Sequence, residues 1–312
     1  MNIEEIVNKY KREEDRGDKI KIYDSNKPLG MHYGYYEKNT KTYVEAVINM
    51  DNQIANLLNL NIVKSSYNVL DAGCGIGATI IFLANKFPKI NFYGINITPG
   101  EITLAKEFAK ENKVENNTHF FIDDYNNTIF EKDFFDGIFA LESLSYSKNK
   151  KKFFIEAKRI LKPGGKLIII DGFLKKDELN PFMQKMYKNF WEHKKYYFYS
   201  ENEWRRKHLY NEWDNLPELD SVQKIISFLE ELGFVDIIMK DISKNISLSR
   251  LWVSVNKIKN IFSSSKLEKD IEIKKPISKK ITFSSILIFN ILQILFSLKK
   301  ATTYCEITAI KK

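Results

Sequence analysis

Cysteine is nearly absent from this 312-residue sequence, occurring only as Cys74 and Cys305. Two such distant residues make neither a disulfide framework nor a zinc site, so a reducing, cytoplasmic setting without a structural metal is expected. The stretch from Met1 to Arg16 carries charge throughout and has no apolar run, so no secretory signal is expected there. No segment reaches the roughly 20 apolar residues of a comfortable bilayer span. The most apolar candidate, Ile281 to Leu298, is interrupted by Thr282, Ser284, Ser285, Asn290, Gln293 and Ser297. It reads as a core or cap helix, with peripheral membrane contact through flanking lysines as the alternative. Internal repeats and long low-complexity linkers are missing too. So are an Asn-Pro-Pro-Tyr-type base-flipping signature and a recognisable RNA module, which argues against nucleic acid as a partner.

What remains is the composition of an ordinary globular protein, 44% hydrophobic and 29% charged. The net charge of +9 is compatible with an anionic partner. The excess of Lys, Asn and Ile, however, has the character of low-GC codon bias, and the Lys150-Lys151-Lys152 run is expected on a solvated helix face.

Between about Tyr67 and Gly172 short apolar runs alternate with amphipathic stretches, the pattern of a parallel sheet with crossover helices. Strands are predicted at Asn68 to Ala72, Asn91 to Ile95, His119 to Ile122, Gly137 to Leu141 and Lys166 to Asp171. A helix from Ser221 to Leu232 and strands from Phe234 to Asp241 and Thr303 to Ile310 complete a seven-stranded, mostly parallel, Rossmann-like α/β sheet with helices on both faces. Residues 1–66 are expected to form a helical lid segment, and 67–312 the main domain. Within that domain a dense aromatic stretch, Phe182 to Trp204, marks a cap insertion at about 174–220. Ligand chemistry belongs at the carboxyl edge of such a sheet, where strand order reverses.

The strongest motif is Val69-Leu70-Asp71-Ala72-Gly73-Cys74-Gly75-Ile76-Gly77, an apolar strand ending in an acid and a glycine turn into a helix. Missing side chains at Gly73, Gly75 and Gly77 let a ligand approach the backbone, and the helix start offers free N–H groups. Gly73, Gly75 and Ala78 also satisfy a permissive dinucleotide fingerprint, so a nicotinamide oxidoreductase stays open. Asp71 shifts the balance, because a carboxylate at the strand tip suits the ammonium of a methionine moiety better than a pyrophosphate. After the second strand, Asn96 can accept from ribose hydroxyls, with Glu101 on the next helix supplying a carboxylate. Alternatively Asn96 is a loop residue and Glu101 a favourable N-terminal charge. After the third run, Asp123 and Asp124 bring acids to the edge. Asp124 can accept from an adenine amine, and Tyr125 can lie against the ring.

Taken in this order, the residues resemble the class I S-adenosylmethionine-dependent methyltransferases, from Asp71 through Asp124 to the Leu161-Lys162-Pro163-Gly164-Gly165-Lys166-Leu167 helix exit. The likeness runs from about Tyr23 to Asp241. Met31 to Tyr36, Gly94-Ile95-Asn96-Ile97-Thr98-Pro99 and Leu141-Glu142-Ser143 look like the sterol, tocopherol and prenyl-diphosphate C-methyltransferase group. Thr302 to Lys312 is similar to the closing strand of the tocopherol enzymes. The related cyclopropane synthases carry a Glu-His pair where this chain has Ser145-Tyr146, which argues against cyclopropanation.

The resemblance implies S-adenosyl-L-methionine as cofactor, with Tyr23, Tyr33, Ile97 and Leu141 joining the cofactor site. It also implies that Tyr23, His32, Tyr33 and Gly34 fold over the cofactor. Methyl transfer to a small apolar, isoprenoid- or lipid-like acceptor is expected, with carbon as the favoured acceptor atom. Glu142 would stabilise a carbocation or take its proton, Tyr146 would orient that carboxylate, and His32 is a further proton acceptor. N- or O-methylation of a small amine, phenol or quinone-type metabolite is the alternative. A non-catalytic cofactor-binding domain is another. A monomer or homodimer without resident metal completes the expectation.

Overall fold

The computed structural model describes residues 32–63, 66–147, 149–174, 220–249 and 302–312. Tyr23, the aromatic stretch Phe182 to Trp204 and the Ile281 to Leu298 helix lie outside the described residues.

Seven strands form one sheet: β1 (Asn68–Ala72), β2 (Asn91–Asn96), β3 (Thr118–Ile122), β4 (Phe135–Leu141), β5 (Leu161–Leu174), β6 (Phe234–Asp241) and β7 (Thr302–Lys311). Their spatial order is β3-β2-β1-β4-β5-β7-β6. The first five are mutually parallel, and β7 runs antiparallel between β5 and β6. Five named helices accompany them: α1 (Tyr43–Leu57), α2 (Ala78–Lys86), α3 (Pro99–Glu111), α4 (Lys150–Ile160) and α5 (Val222–Glu231). Residues 243–249 are also helical.

Local chemistry starts these helices. The Thr42 side chain accepts from the Glu45 N–H at the head of α1, Pro99 opens α3 after Thr98, and Ser221 accepts from the Lys224 N–H before α5. Each supplies a partner to an otherwise orphaned donor or presets the helical φ.

Alternation along the strands sorts the core into two layers. Val69, Phe139, Leu141, Ile168 and Ile170 meet Met50 and Ile54 of α1, Ile80 of α2 and Phe108 of α3 on one face. Leu70, Ile138, Ala140, Leu167 and Ile169 meet Phe153, Phe154 and Ala157 of α4 and Ile225 and Leu229 of α5 on the other. Both faces of the parallel strands are thereby covered, which is why they read as nearly continuous apolar runs.

Three details differ from expectation. Strand β5 begins at Leu161 rather than Lys166, because Leu161 already pairs with Phe135 before the chain shifts register. Within 1–66, α1 is a layer of the core. Lys150 does not sit on a solvated face: it is buried, donates to the Ser147 carbonyl at 3.2 Å and faces Asp220 at 3.6 Å.

Candidate active site

The strand order reverses between β1 and β4, the place where open α/β sheets hold their ligands, in the crevice outside the strands' carboxyl ends. Gly73 and Gly75 make the bend after β1, with φ of 97° and 52°. A Cβ on Gly73 would stand 2.5 Å from the Ser143 Cβ, whereas one on Gly75 would meet nothing within 4 Å. Gly73 is thus required by close approach to β4, and Gly75 leaves open space over the bend. The Gly73 and Cys74 N–H groups both donate to the Ile95 carbonyl at 3.0 Å, fixing the bend to β2. Ser143 Oγ donates to the Ala72 carbonyl and closes it toward β4. Gly77 caps α2 in the left-handed region.

Asp71 is 4% exposed. Burial pushes its carboxyl well above the usual range, nearby Asp51 pushes the same way, and His32 opposes them. A cation arriving at this carboxylate would relieve the penalty. At the end of β2, the Asn96 amide donates to the Glu101 carboxylate, so the pair expected from the sequence is brought together. Ile97 is exposed on the adjoining rim. Asp123 is used by its loop, accepting from the Asp124 and Ile129 N–H groups at 2.9 and 3.0 Å. Asp124 is exposed, with Oδ1 accepting from Asn126. The Tyr125 hydroxyl donates to the Ser143 carbonyl at 3.1 Å and its ring packs edge-on against Phe153. Its described contacts thus place it as a wall behind Gly73.

Leu141, the last residue of β4, is buried in the core, and Glu142 just beyond it adopts a left-handed φ of 52°. Glu142 N–H donates to the Ile170 carbonyl at 2.8 Å. Its Oε1 accepts from the Tyr33 N–H at 2.7 Å and from the Tyr304 hydroxyl. The resemblance implies Tyr146 as the group that orients this carboxylate; the structure also puts the hydroxyl of Tyr304 on Oε1. Tyr146 lies close by, its hydroxyl pushed up by burial and by Asp171 and Glu142.

His32 is buried, with Nε2 3.1 Å from Asp51 Oδ1, which also accepts from Thr79 Oγ1 at 2.8 Å. Burial pulls its pKa down, but Asp51, together with Glu142 and the Tyr33 carbonyl, outweighs this and holds it at about 9. The pair with Asp51 favours the protonated, cationic form of the ring. Asp171, inside β5 three residues before its end, is a buried acid near Glu142 that motif reading does not single out. It accepts from the Ser145 and Gly172 N–H groups at 3.0 and 2.7 Å, and burial pushes its carboxyl up to about 7. An acid closing the apolar run Leu167 to Ile170 is the same signal as Asp71 closing β1.

Comparison with known proteins agrees with this geometry. The family described as a methyltransferase domain matches residues 63–233, more than half of the chain. The chain belongs to this family, and its fold is that of the class I S-adenosylmethionine-dependent methyltransferases. It is 29% identical over 143 residues to the methyltransferase GfsG of Streptomyces halstedii, covering 45% of this chain and 50% of that one. It is 26% identical over 208 residues to the 2-methyl-6-phytyl-1,4-hydroquinone methyltransferase of Synechocystis, covering 66% and 59%. The chain thus spans about half the length of these curated relatives.

Among solved structures, geranyl diphosphate C-methyltransferase from Streptomyces coelicolor, in complex with Mg2+, geranyl diphosphate and S-adenosyl-L-homocysteine, superimposes with a TM-score of 0.62 at 13% identity. That match covers 93% of this chain and 94% of the other. The [4+2]-cyclase SpnF superimposes with a TM-score of 0.65 at 16% identity, covering 91% and 88%. These likenesses define the fold.

The residues present fit the family's cofactor. The open bend at Gly75, the buried Asp71 carboxylate and the Asn96–Glu101 pair supply the backbone, anionic and polar groups that S-adenosyl-L-methionine needs.

Proposed function

We propose that this chain transfers the methyl group of S-adenosyl-L-methionine to a small apolar, isoprenoid- or lipid-like acceptor, with carbon as the favoured acceptor atom. The observation that carries the reading is the placement of Glu142 and Asp171 among Tyr33, Tyr146 and Tyr304 beside the glycine bend. Carboxylates set among aromatic rings stabilise a positive charge that develops away from water. Alkylation of an alkene carbon produces such a charge.

Asp71 takes the cofactor's ammonium, and the backbone at Gly73 and Gly75 lies against the methionine portion. Asn96 and Glu101 receive the ribose hydroxyls, Ile97 covers the purine face, and Asp124 accepts from the adenine amine. When bound, the cofactor supplies a methyl group already activated by its sulfonium, so the protein's task is alignment and exclusion of water. Tyr33, held over the cleft by Glu142, excludes water. Glu142 stabilises the charge on the acceptor and accepts the proton the acceptor loses. His32, paired with Asp51, keeps Asp71 from being wholly surrounded by negative charge.

A second reading, methylation of a small amine, is favoured by the same acids and aromatics, since these also bind ammonium groups. Incubation of the full chain with methyl-labelled cofactor and panels of prenyl, hydroquinone and amine acceptors separates the two by mass spectrometry of the product. Label on a carbon of a prenyl or prenylated compound supports the proposal. Label only on amine nitrogen would replace it with the second reading.

A further inference from the structure

We propose that Asn245, Ser249 and Tyr304 are positioning residues that latch the segment 33–36 over the cofactor site, so that cofactor affinity depends on contacts made through β7 and helix 243–249 as well as on the glycine bend. The proposal rests on the methyl-transfer reading of the cleft.

The segment lies between two helices. On one side it packs against α1: Tyr35 N–H donates to the Ala46 carbonyl at 2.7 Å, and a Cβ on Gly34 would stand 2.5 Å from the Ala46 Cβ. On the other side helix 243–249 supplies four hydrogen bonds. Gly34 N–H donates to Ser249 Oγ at 2.7 Å, and that hydroxyl donates back to the Gly34 carbonyl at 2.9 Å. Tyr36 N–H donates to the Asn245 carbonyl at 2.8 Å, and Asn245 Nδ2 donates to the Tyr36 carbonyl at 3.0 Å. Ser249 is fully buried, and both bonds of its hydroxyl go to one residue's backbone, 215 positions away.

Tyr304 closes the circuit. Its N–H donates to Ser243 Oγ at 2.9 Å, and its carbonyl accepts from the Ile242 N–H at 2.8 Å. Its ring meets Tyr33 edge-on at 6.0 Å, and its hydroxyl donates to the carboxylate that holds the Tyr33 N–H. Helix 243–249, Tyr304, Glu142 and segment 33–36 therefore form one closed set of contacts. Lifting the segment leaves the Ser249 hydroxyl buried without its partners, which makes opening a concerted event rather than a gradual fraying.

Ser249→Ala, Asn245→Ala and Tyr304→Phe, each in the full chain, test this. Three readouts apply: calorimetric affinity for S-adenosylhomocysteine, the KM for S-adenosylmethionine against kcat, and hydrogen exchange of the Tyr33, Gly34 and Tyr36 amides. The latch predicts affinity lowered and KM raised by roughly tenfold for Ser249→Ala. It also predicts kcat within about twofold for Ser249→Ala and Asn245→Ala, and faster exchange at Gly34 and Tyr36. A merely structural role would lower the melting temperature and leave the affinity of the folded protein unchanged, which would overturn the proposal. Should Ser249→Ala not fold, Asn245→Ala removes one bond from a half-buried site and gives the same readouts. Failure of the wild-type chain to bind S-adenosylhomocysteine would count against the reading of the cleft, while exchange at Gly34 and Tyr36 would still decide the latch.

Discussion

Glu142 is held against its own backbone preference, since a left-handed φ of 52° costs a residue with a Cβ roughly 1–2 kcal/mol. Its N–H on the Ile170 carbonyl and its Oε1 on Tyr33 and Tyr304 keep it there. Glu142→Gln retains an oxygen acceptor for both partners and removes the charge. Binding of S-adenosylhomocysteine is therefore expected to stay within a few-fold of wild type, while kcat falls by about 10²-fold or more. Equal loss of binding and turnover would instead make Glu142 a lid anchor only.

His32 gives a pH signature. Its pKa rises from 6.5 to about 9 on folding, so the folded chain holds an extra proton between those values. The stabilisation is fully present below pH 6.5 and is lost as pH rises through 9, at up to about 1.4 kcal/mol per unit. Urea unfolding from pH 6 to 9.5 should show that slope, and His32→Asn should flatten it. Asp71, Asn96 and Glu142 stand out in the sequence because each sits at or just past the carboxyl end of a strand the sequence announces, and Glu101 because it opens the helix after one. Asp51, Tyr304 and the latch residues do not, since they reach the site through packing across α1, β7 and helix 243–249. No local pattern records those contacts.

At the scale of elements, strand β1 (Asn68–Ala72) and strand β6 (Phe234–Asp241) coincide with their expected bounds. There apolar runs are cut sharply by glycine or by acid. The start of β5 was hidden because Pro163, Gly164 and Gly165 look like a loop, although Leu161 is already paired. Helix α1 shows a different limit: an amphipathic stripe is the same whether it covers a core or closes a cleft. Met50 and Ile54 are completely buried against the sheet. Ile54→Ala should consequently destabilise the chain by about 2–5 kcal/mol in chemical unfolding, as a core cavity does. A loss under about 1 kcal/mol would return α1 to the lid.

For the whole molecule, the +9 net charge and the cleft have opposite characters. Asp71, Glu101, Glu142 and Asp171 converge on the carboxyl edge, and His32 is balanced by Asp51. A cationic cofactor suits such a site, while the excess of lysine in the sequence has the character of a compositional bias. The fold itself hosts a cyclase as well as methyltransferases among its neighbours, so the site must carry the functional argument.

The most direct measurement is calorimetric titration of the wild-type and Asp71→Asn chains with S-adenosylhomocysteine and with NAD+. Binding of the former to wild type, no binding of NAD+, and at least a tenfold loss on Asp71→Asn without a lower melting temperature are predicted. Binding of NAD+ in place of S-adenosylhomocysteine, or unaltered affinity in Asp71→Asn, would contradict the account.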